Sequence, residues 1–414
     1  MNIFIGVIVG LLVLMTLITL HEFGHFIAAR RNGVKVLEFG ICFPPRAIAW
    51  VKGSDGKWHK LPKSKWDKPQ KGLIFSLNWL PIGGFCQMDG ESANDKRPHT
   101  FGASSFWSKT KILFAGVAMN WLTAFVILTI LAWTGMPKFI ENQFSIASDE
   151  TFEKNPAVIV EVLEDSPAAK SGLVSGDKIL AINGEEVTSA NMVSEYNHAH
   201  AGETVTYTIE HFKSKDECCE VCDVICEEGY VTKQITAELN PAGSEYALGI
   251  SMDSAQTLYH STWSAPIVGL GLTAQITGET FKGVGELIWN LVSGVGRQLS
   301  FDDTTRSEGR EAIEAAGDSV SGPVGIIGVL FPAFTSAGPT NVAFLAALIS
   351  VSLACMNVLP IPALDGGRWL LIAIYKLRKK ELTKEKEEKI VSRAFAVLLA
   401  LIALVTVLDV VRFF

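Results

Sequence analysis

The chain has 414 residues, a formal net charge of -7, and 48% hydrophobic against 19% charged residues. That balance excludes a nucleic-acid binder held by a basic surface, and it is too apolar for an ordinary soluble protein of this length, so membrane segments are expected. Seven cysteines, an odd number, exclude a fully paired disulfide framework.

Residues Ile3 to Leu20 form a nearly unbroken apolar run that leads directly into His21-Glu22-Phe23-Gly24-His25 and then Arg30 and Arg31. With no basic residue ahead of the run and no small-x-small site after it, the segment reads as a spanning helix rather than a signal peptide. Three further apolar segments follow, near 112–136, 341–359 and 394–411. Between the first two spans lie Lys52, Lys57, Lys60, Lys63, Lys65, Lys68 and Lys71, and between the last two lie Lys376, Arg378, Lys379, Lys380, Lys384, Lys386 and Lys389. Both basic connections are therefore expected in the cytoplasm, with the termini and the long middle region outside it.

From about 155 to 239 the middle region alternates β-rich strings with turn signals such as Asn183-Gly184. The string from Ser166 through Gly176-Asp177 to Asn183-Gly184 and Val187 resembles a PDZ domain, a fold that can take an extended peptide as an added strand. From about Thr262 to Val295 apolar residues are interrupted by Gln275, Thr277, Glu279, Lys282 and Glu286, a pattern that predicts amphipathic helices on the outer membrane surface.

His21 and His25 are one helical turn apart, so both imidazoles can reach one ion, and Glu22 on the same side can take up a proton from water at that ion. Two histidines and a glutamate in a spanning helix are unfavourable in hydrocarbon, by roughly 2.5–3.5 kcal/mol for a central charge, which argues for function over chance. A catalytic zinc takes three protein ligands, and Asp365 is the candidate third. It follows Asn357-Val-Leu-Pro360-Ile-Pro362 and precedes Gly366-Gly367, so the third span is expected to break there, freeing polar groups at membrane depth. Asn357 can then offer its amide to a substrate backbone, although a helix-cap role suits it too. The remaining histidines, His59, His99, His198, His200, His211 and His260, lie in polar stretches and read as surface residues.

Together these segments resemble the site-2 protease family of intramembrane metalloproteases, in its regulator-of-sigma-E branch. The resemblance implies Zn2+ held by His21, His25 and Asp365, Glu22 as acid and base, and Asn357 as a substrate contact. It further implies that Pro81-Ile-Gly-Gly-Phe85 belongs to a membrane-re-entrant β-loop in which Gly83, Gly84 and Phe85 help hold substrate as a strand. Ala115-Gly116-Val-Ala-Met-Asn120 and Ser321-Gly-Pro-Val-Gly325 also look like family segments and are assigned no catalytic role.

The expected fold is a polytopic α-helical membrane protein of four transmembrane helices with a re-entrant β-loop and an inserted extracytoplasmic PDZ domain (α+β). Its parts are 1–32, the first span; 33–103, a basic cytoplasmic loop with the β-loop; 104–136, the second span; 137–250, the PDZ domain; 251–337, amphipathic helices; 338–378, the broken third span; 379–393, a second basic loop; and 394–414, the fourth span. The expected activity is zinc-dependent hydrolysis of a peptide bond in or near the transmembrane segment of single-pass proteins, with anti-sigma factors or remnant signal peptides as substrates. The expected setting is the bacterial inner membrane, with the lipid bilayer and such substrates as partners and no nucleic acid. A silent adaptor using the PDZ domain and a metal transporter are the rival readings; the intact Glu22 speaks against the first, and a single paired-His helix against the second. The cluster Cys218, Cys219, Cys222 and Cys226 departs from the family pattern, and disulfides or a metal knuckle would suit it.

Overall fold

The computed structural model describes residues 3–66, 68, 70–92, 95–140, 142–154, 157–163, 165–187, 190–213, 229–241, 243–244, 246–253, 257–298, 307–311 and 322–413. The four clustered cysteines and Ser321 lie outside these residues. The chain divides into two compact units, one built from residues 1–133 and 263–414 and the other from 134–262.

Among the described residues of the first unit, four helices are long and apolar enough to cross a membrane. They are α1 (Ile3–Arg31), α2 (Phe106–Thr134), α7 (Pro339–Val358) and α9 (Lys384–Phe413). Hydroxyls along them are satisfied within the helix, as hydrocarbon requires: Thr16, Thr19, Thr123 and Thr129 each donate to the carbonyl four residues earlier, at 2.7–2.8 Å. Small residues set the helix spacing. A Cβ on Gly6 or Gly10 would lie 2.4 Å from Pro332 or 2.7 Å from Phe331, both on the short apolar helix α6 (Pro323–Ser336). A Cβ on Gly24 would lie 2.3 Å from the Ala115 carbonyl of α2.

Between α1 and α2 the lysine-rich connection folds as a sheet of β1 (Val36–Lys52), β2 (Trp58–Lys60) and β3 (Ile74–Met88), in the order β2-β1-β3. Both long strands double back. Residues 38–41 face Gln87 to Gly84 on one side and Ile74 to Leu77 on the other, while Arg46 to Val51 face Asn78 to Ile74. Buried Glu38 fastens the doubled strands, accepting from Arg46 Nε at 2.9 Å and Ser76 Oγ at 2.6 Å.

The interrupted stretch after residue 262 is one helix, α5 (Ala265–Gln298), 34 residues long, rather than several. It buries Ala265, Val268, Gly269, Leu272, Thr273 and Ile276, and a Cβ on Gly269 would lie 2.3 Å from Thr129 Oγ1. The charges read as interruptions ride on its exposed face, where Glu279 and Lys282 pair at 4.0 Å with both side chains more than half exposed.

The second unit holds a sheet formed by β4 (Ala157–Val162), β5 (Lys178–Ile182), β6 (Thr204–Lys213), β7 (Gly229–Glu238) and β8 (Ile250–Asp253), in the order β7-β6-β5-β4-β8. Two helices, α3 (Pro167–Ser171) and α4 (Ala190–Ala199), accompany it around a core that includes Ile159, Ile179, Ile182, Val193, Val205, Tyr207 and Ile209. Ser166 caps α3 through its hydroxyl, which accepts from the Ala169 N–H at 3.1 Å. Gly172 closes the helix at φ +85°, a left-handed conformation open to glycine without strain. His211 is not the free surface residue its polar neighbourhood suggests: its Nδ1 lies 2.5 Å from the fully buried Asp177, whose other oxygen accepts from the Val174 N–H.

Candidate active site

Successive residues on a helix turn by about 100°, so His21 and His25 share one face of α1, and that face lies against α2. A Cβ on Gly116 of α2 would come within 2.5 Å of His25 Nε2 and 2.6 Å of His21 Nε2. The missing side chain at Gly116 is thus what lets the two helices meet over the imidazoles.

The third participant arrives from the far end of the sequence. α7 ends at Val358, Pro360 and Pro362 prevent its continuation, and the chain resumes as α8 (Asp365–Leu377) with Asp365 in its first turn. The turn is tight enough that a Cβ on Gly366 would lie 2.1 Å from the Val358 carbonyl and one on Gly367 2.0 Å from the Ile361 carbonyl. Past the turn, Arg368 Nε meets Glu387 at 3.2 Å with its guanidinium over the Phe101 ring, and Trp369 Nε1 donates to Thr110 Oγ1 at 2.9 Å. These contacts hold α8 to α9, α2 and the loop before α2.

Asp365 Oδ2 stands 3.1 Å from His21 Nε2 and 3.3 Å from His25 Nε2, and the two Nε2 atoms are 3.1 Å apart. Two histidines from the first span and an aspartate 344 positions away from His21 thus form one triangle of donor atoms. His25 Nδ1 lies 2.8 Å from the Ile112 carbonyl, which can only accept, so the proton of the neutral ring sits on Nδ1 and Nε2 presents a bare lone pair to the triangle. Zinc bound at 2.0–2.2 Å in tetrahedral geometry sets its ligands about 3.3–3.6 Å apart. The triangle is within a few tenths of an ångström of that spacing, so these residues could hold such an ion with a fourth position left over.

Glu22 stays outside the triangle, though its carboxylate and the two imidazoles have ligand atoms within 4.8 Å of one another. Its Oε2 accepts from the backbone N–H of Cys86 in β3 at 3.0 Å. Gly83, Gly84 and Phe85 precede Cys86 on that strand. A Cβ on Gly83 would lie 2.8 Å from Ile18 Cγ2, and one on Gly84 would lie 3.2 Å from Thr19 Oγ1, so both glycines allow the strand to lie against α1 just ahead of the histidines. Phe85 packs its ring over Gly40 and near Phe43. Asn357, in the last turn of α7, donates through Nδ2 to the Leu353 carbonyl of its own helix at 3.0 Å.

The segment from Ala115 to Asn120, expected from the sequence to carry no catalytic role, lies with Ile112 against the histidines. Ile112, Gly116 and Asn120 recur every four residues on one face, and all three touch the histidines: Ile112 through its carbonyl, Gly116 through the space it leaves, and Asn120 through Nδ2, 3.3 Å from His21 Nδ1. A glycine and an asparagine one turn apart in an apolar run are the signal that could have found them.

Comparison with known proteins places the chain among zinc metalloproteases. The chain is 26% identical over 413 residues to a protein of Clostridium acetobutylicum, spanning 99% of this chain and 98% of the relative. It is 24% identical over 490 residues to the zinc metalloprotease RasP of Bacillus licheniformis, spanning 99% of each. To the regulator of sigma-W protease RasP of Bacillus subtilis it is 23% identical over 494 residues, spanning 99% of this chain and all of the relative. The model for peptidase family M50 matches residues 9–402, the histidine pair and Asp365 included. The chain therefore belongs to peptidase family M50, the site-2 proteases.

Proposed function

We propose that this protein is an intramembrane zinc metalloprotease that cuts a peptide bond in or near the transmembrane segment of single-pass proteins in the bacterial inner membrane. The observation that carries the proposal is the triangle of His21, His25 and Asp365, built from separate helices at spacings that suit zinc. Bound there, zinc supplies Lewis acidity toward the scissile carbonyl and brings the pKa of water down to about 7.

The chain's own residues do the remaining work. Glu22, aimed by the Cys86 N–H, accepts the proton of the attacking water and returns it to the leaving amine. A helical substrate has no backbone to offer until it unwinds. Residues 84–88 of β3 pair with 36–41 of β1 on one side, and their other side runs toward Glu22, so an unwound segment can add to this edge as a strand within reach of the proton acceptor. In this reading β1 and β3 are the re-entrant loop, Gly83, Gly84 and Phe85 shape the edge, and Asn357 holds the substrate backbone once its amide turns from its own helix.

The middle unit acts as a PDZ domain outside the cytoplasm. Support comes from its capped α3, its Gly176-Asp177 turn and a cleft of about 130 Å³ between α4 and the end strand β8, lined by Asn197, His198, Leu248, Gly249 and Ile250. Anti-sigma factors already trimmed by another protease, or remnant signal peptides, suit such an enzyme; one relative's name ties it to a sigma factor.

Co-expression with a tagged single-pass substrate tests the assignment. Glu22→Gln should lower cleavage by about 10²-fold or more while zinc remains bound. Normal cleavage by a zinc-loaded Glu22→Gln protein would remove Glu22 from the role.

A further inference from the structure

Asn120 combines three facts. It is fully buried in α2, its Nδ2 faces His21 Nδ1 at 3.3 Å, and its buried Oδ1 has no hydrogen-bond partner among the described residues. An amide's oxygen and nitrogen are told apart only by their hydrogen bonds, so the orientation of the side chain follows from the state of its neighbour.

With no ion, the arrangement is self-consistent: His21 carries its proton on Nε2, donates to Asp365, and accepts from Asn120 at Nδ1. To give its Nε2 lone pair to zinc, His21 must move that proton to Nδ1. Nδ1–H would then confront the Asn120 NH₂, two donors in contact. A half-turn of the amide replaces the clash with Nδ1–H donating to Oδ1, the oxygen that otherwise has no partner. His25 needs no such adjustment, because the Ile112 carbonyl already holds its proton on Nδ1.

We propose that Asn120 is the positioning residue for the zinc ligand His21, selecting by rotation of its amide the tautomer that binds metal. The inference rests on the zinc reading above. With it, α2 orients both imidazoles from one face, His25 through a main-chain carbonyl that no substitution removes and His21 through a side chain that one can. The main-chain carbonyl of Asn120 accepts from Ser350 Oγ at 2.8 Å, which ties this turn of α2 to α7 and leaves the side-chain amide to turn.

Zinc affinity of the purified full-length protein in lipid nanodiscs, measured by competition with a chromophoric chelator, tests it without any substrate. Asn120→Leu keeps the volume and removes the acceptor; it should weaken zinc binding 10- to 100-fold, the usual effect of losing an outer hydrogen bond to a ligating histidine. Asn120→Asp offers only acceptors and should stay within about threefold of wild type. A packing role predicts the reverse order, since leucine fills the space and a carboxylate does not belong there. Wild-type affinity in the leucine variant, or equal losses in both, overturns the role of Asn120 while leaving the zinc site standing. Absence of zinc from the wild type, unchanged by His21→Ala, would instead overturn the zinc reading and this one with it.

Discussion

The two units of this chain are built inside out relative to one another. In the unit of residues 134–262 the interior is apolar, with Ile159, Ile179, Ile182 and Ile209 fully buried. In the other, large apolar residues such as Leu12, Leu122, Val126, Ile130 and Leu404 face outward, while His21, His25, Asn120 and Ser350 are buried among the helices. For the first, water drives burial of apolar surface. For the second, contact with lipid leaves no such drive between helices, so close approach at small residues and satisfied polar groups must hold the bundle. A function follows from the contrast. A polar cluster at the centre of the first kind of unit would be an anomaly, whereas in the second it is where chemistry is protected from water and where hydrogen bonds fix ligands most firmly.

Substitutions can break or sharpen that contrast. The largest effect is expected at Gly116, where the ligands leave no room for a methyl group: Gly116→Ala should cost most of the bound zinc, read by elemental analysis, because the added atom would sit 2.5–2.6 Å from both Nε2 atoms. Retention of full zinc there would mean that the helices separate easily, against the close approach argued above.

A middle-sized effect is expected in the other unit. Tyr207 is fully buried, burial pushes its phenol pKa up, and its hydroxyl donates to Asn197 at 2.6 Å. Tyr207→Phe leaves the Asn197 carbonyl oxygen without that donor and should destabilise residues 134–262 by about 1–3 kcal/mol, seen as faster limited proteolysis of that unit in the full chain. Zinc content should not change. The smallest effect is expected at Gly283 of α5, where nothing lies within 4 Å of an added Cβ: Gly283→Ala should be neutral or stabilise by up to about 1 kcal/mol in a thermal melt.

How much of this was legible in the sequence follows the same division. The four spans and the histidine pair could be read because an apolar run has few ways to fold and a four-residue spacing places side chains on one face. Asp365 could be read because Pro360 and Pro362 forbid a continuous helix where the aspartate appears. The approach of α2 was legible only in part, since Gly116 and Asn120 stand one turn apart in an apolar run but do not say which helix faces them. The doubling of β1 and β3 was hidden as well. Seven lysines from Lys52 to Lys71 separate the two strands and draw the eye to charge, and the pairing partners of residues 38–41 come from both arms of a strand some forty residues on. The single long α5 escaped because charges on one exposed face interrupt the apolar count without interrupting the helix.

If His21, His25 and Asp365 hold one zinc ion between helices in the membrane, metal must leave when the aspartate does. In full-length protein purified in nanodiscs, elemental analysis should find one zinc per wild-type chain and less than a tenth of that in Asp365→Ala after dialysis against a mild chelator, on the order of the affinity lost with a zinc ligand or its support. Equal zinc in both proteins would contradict it, because the aspartate would then stand beside the metal without binding it.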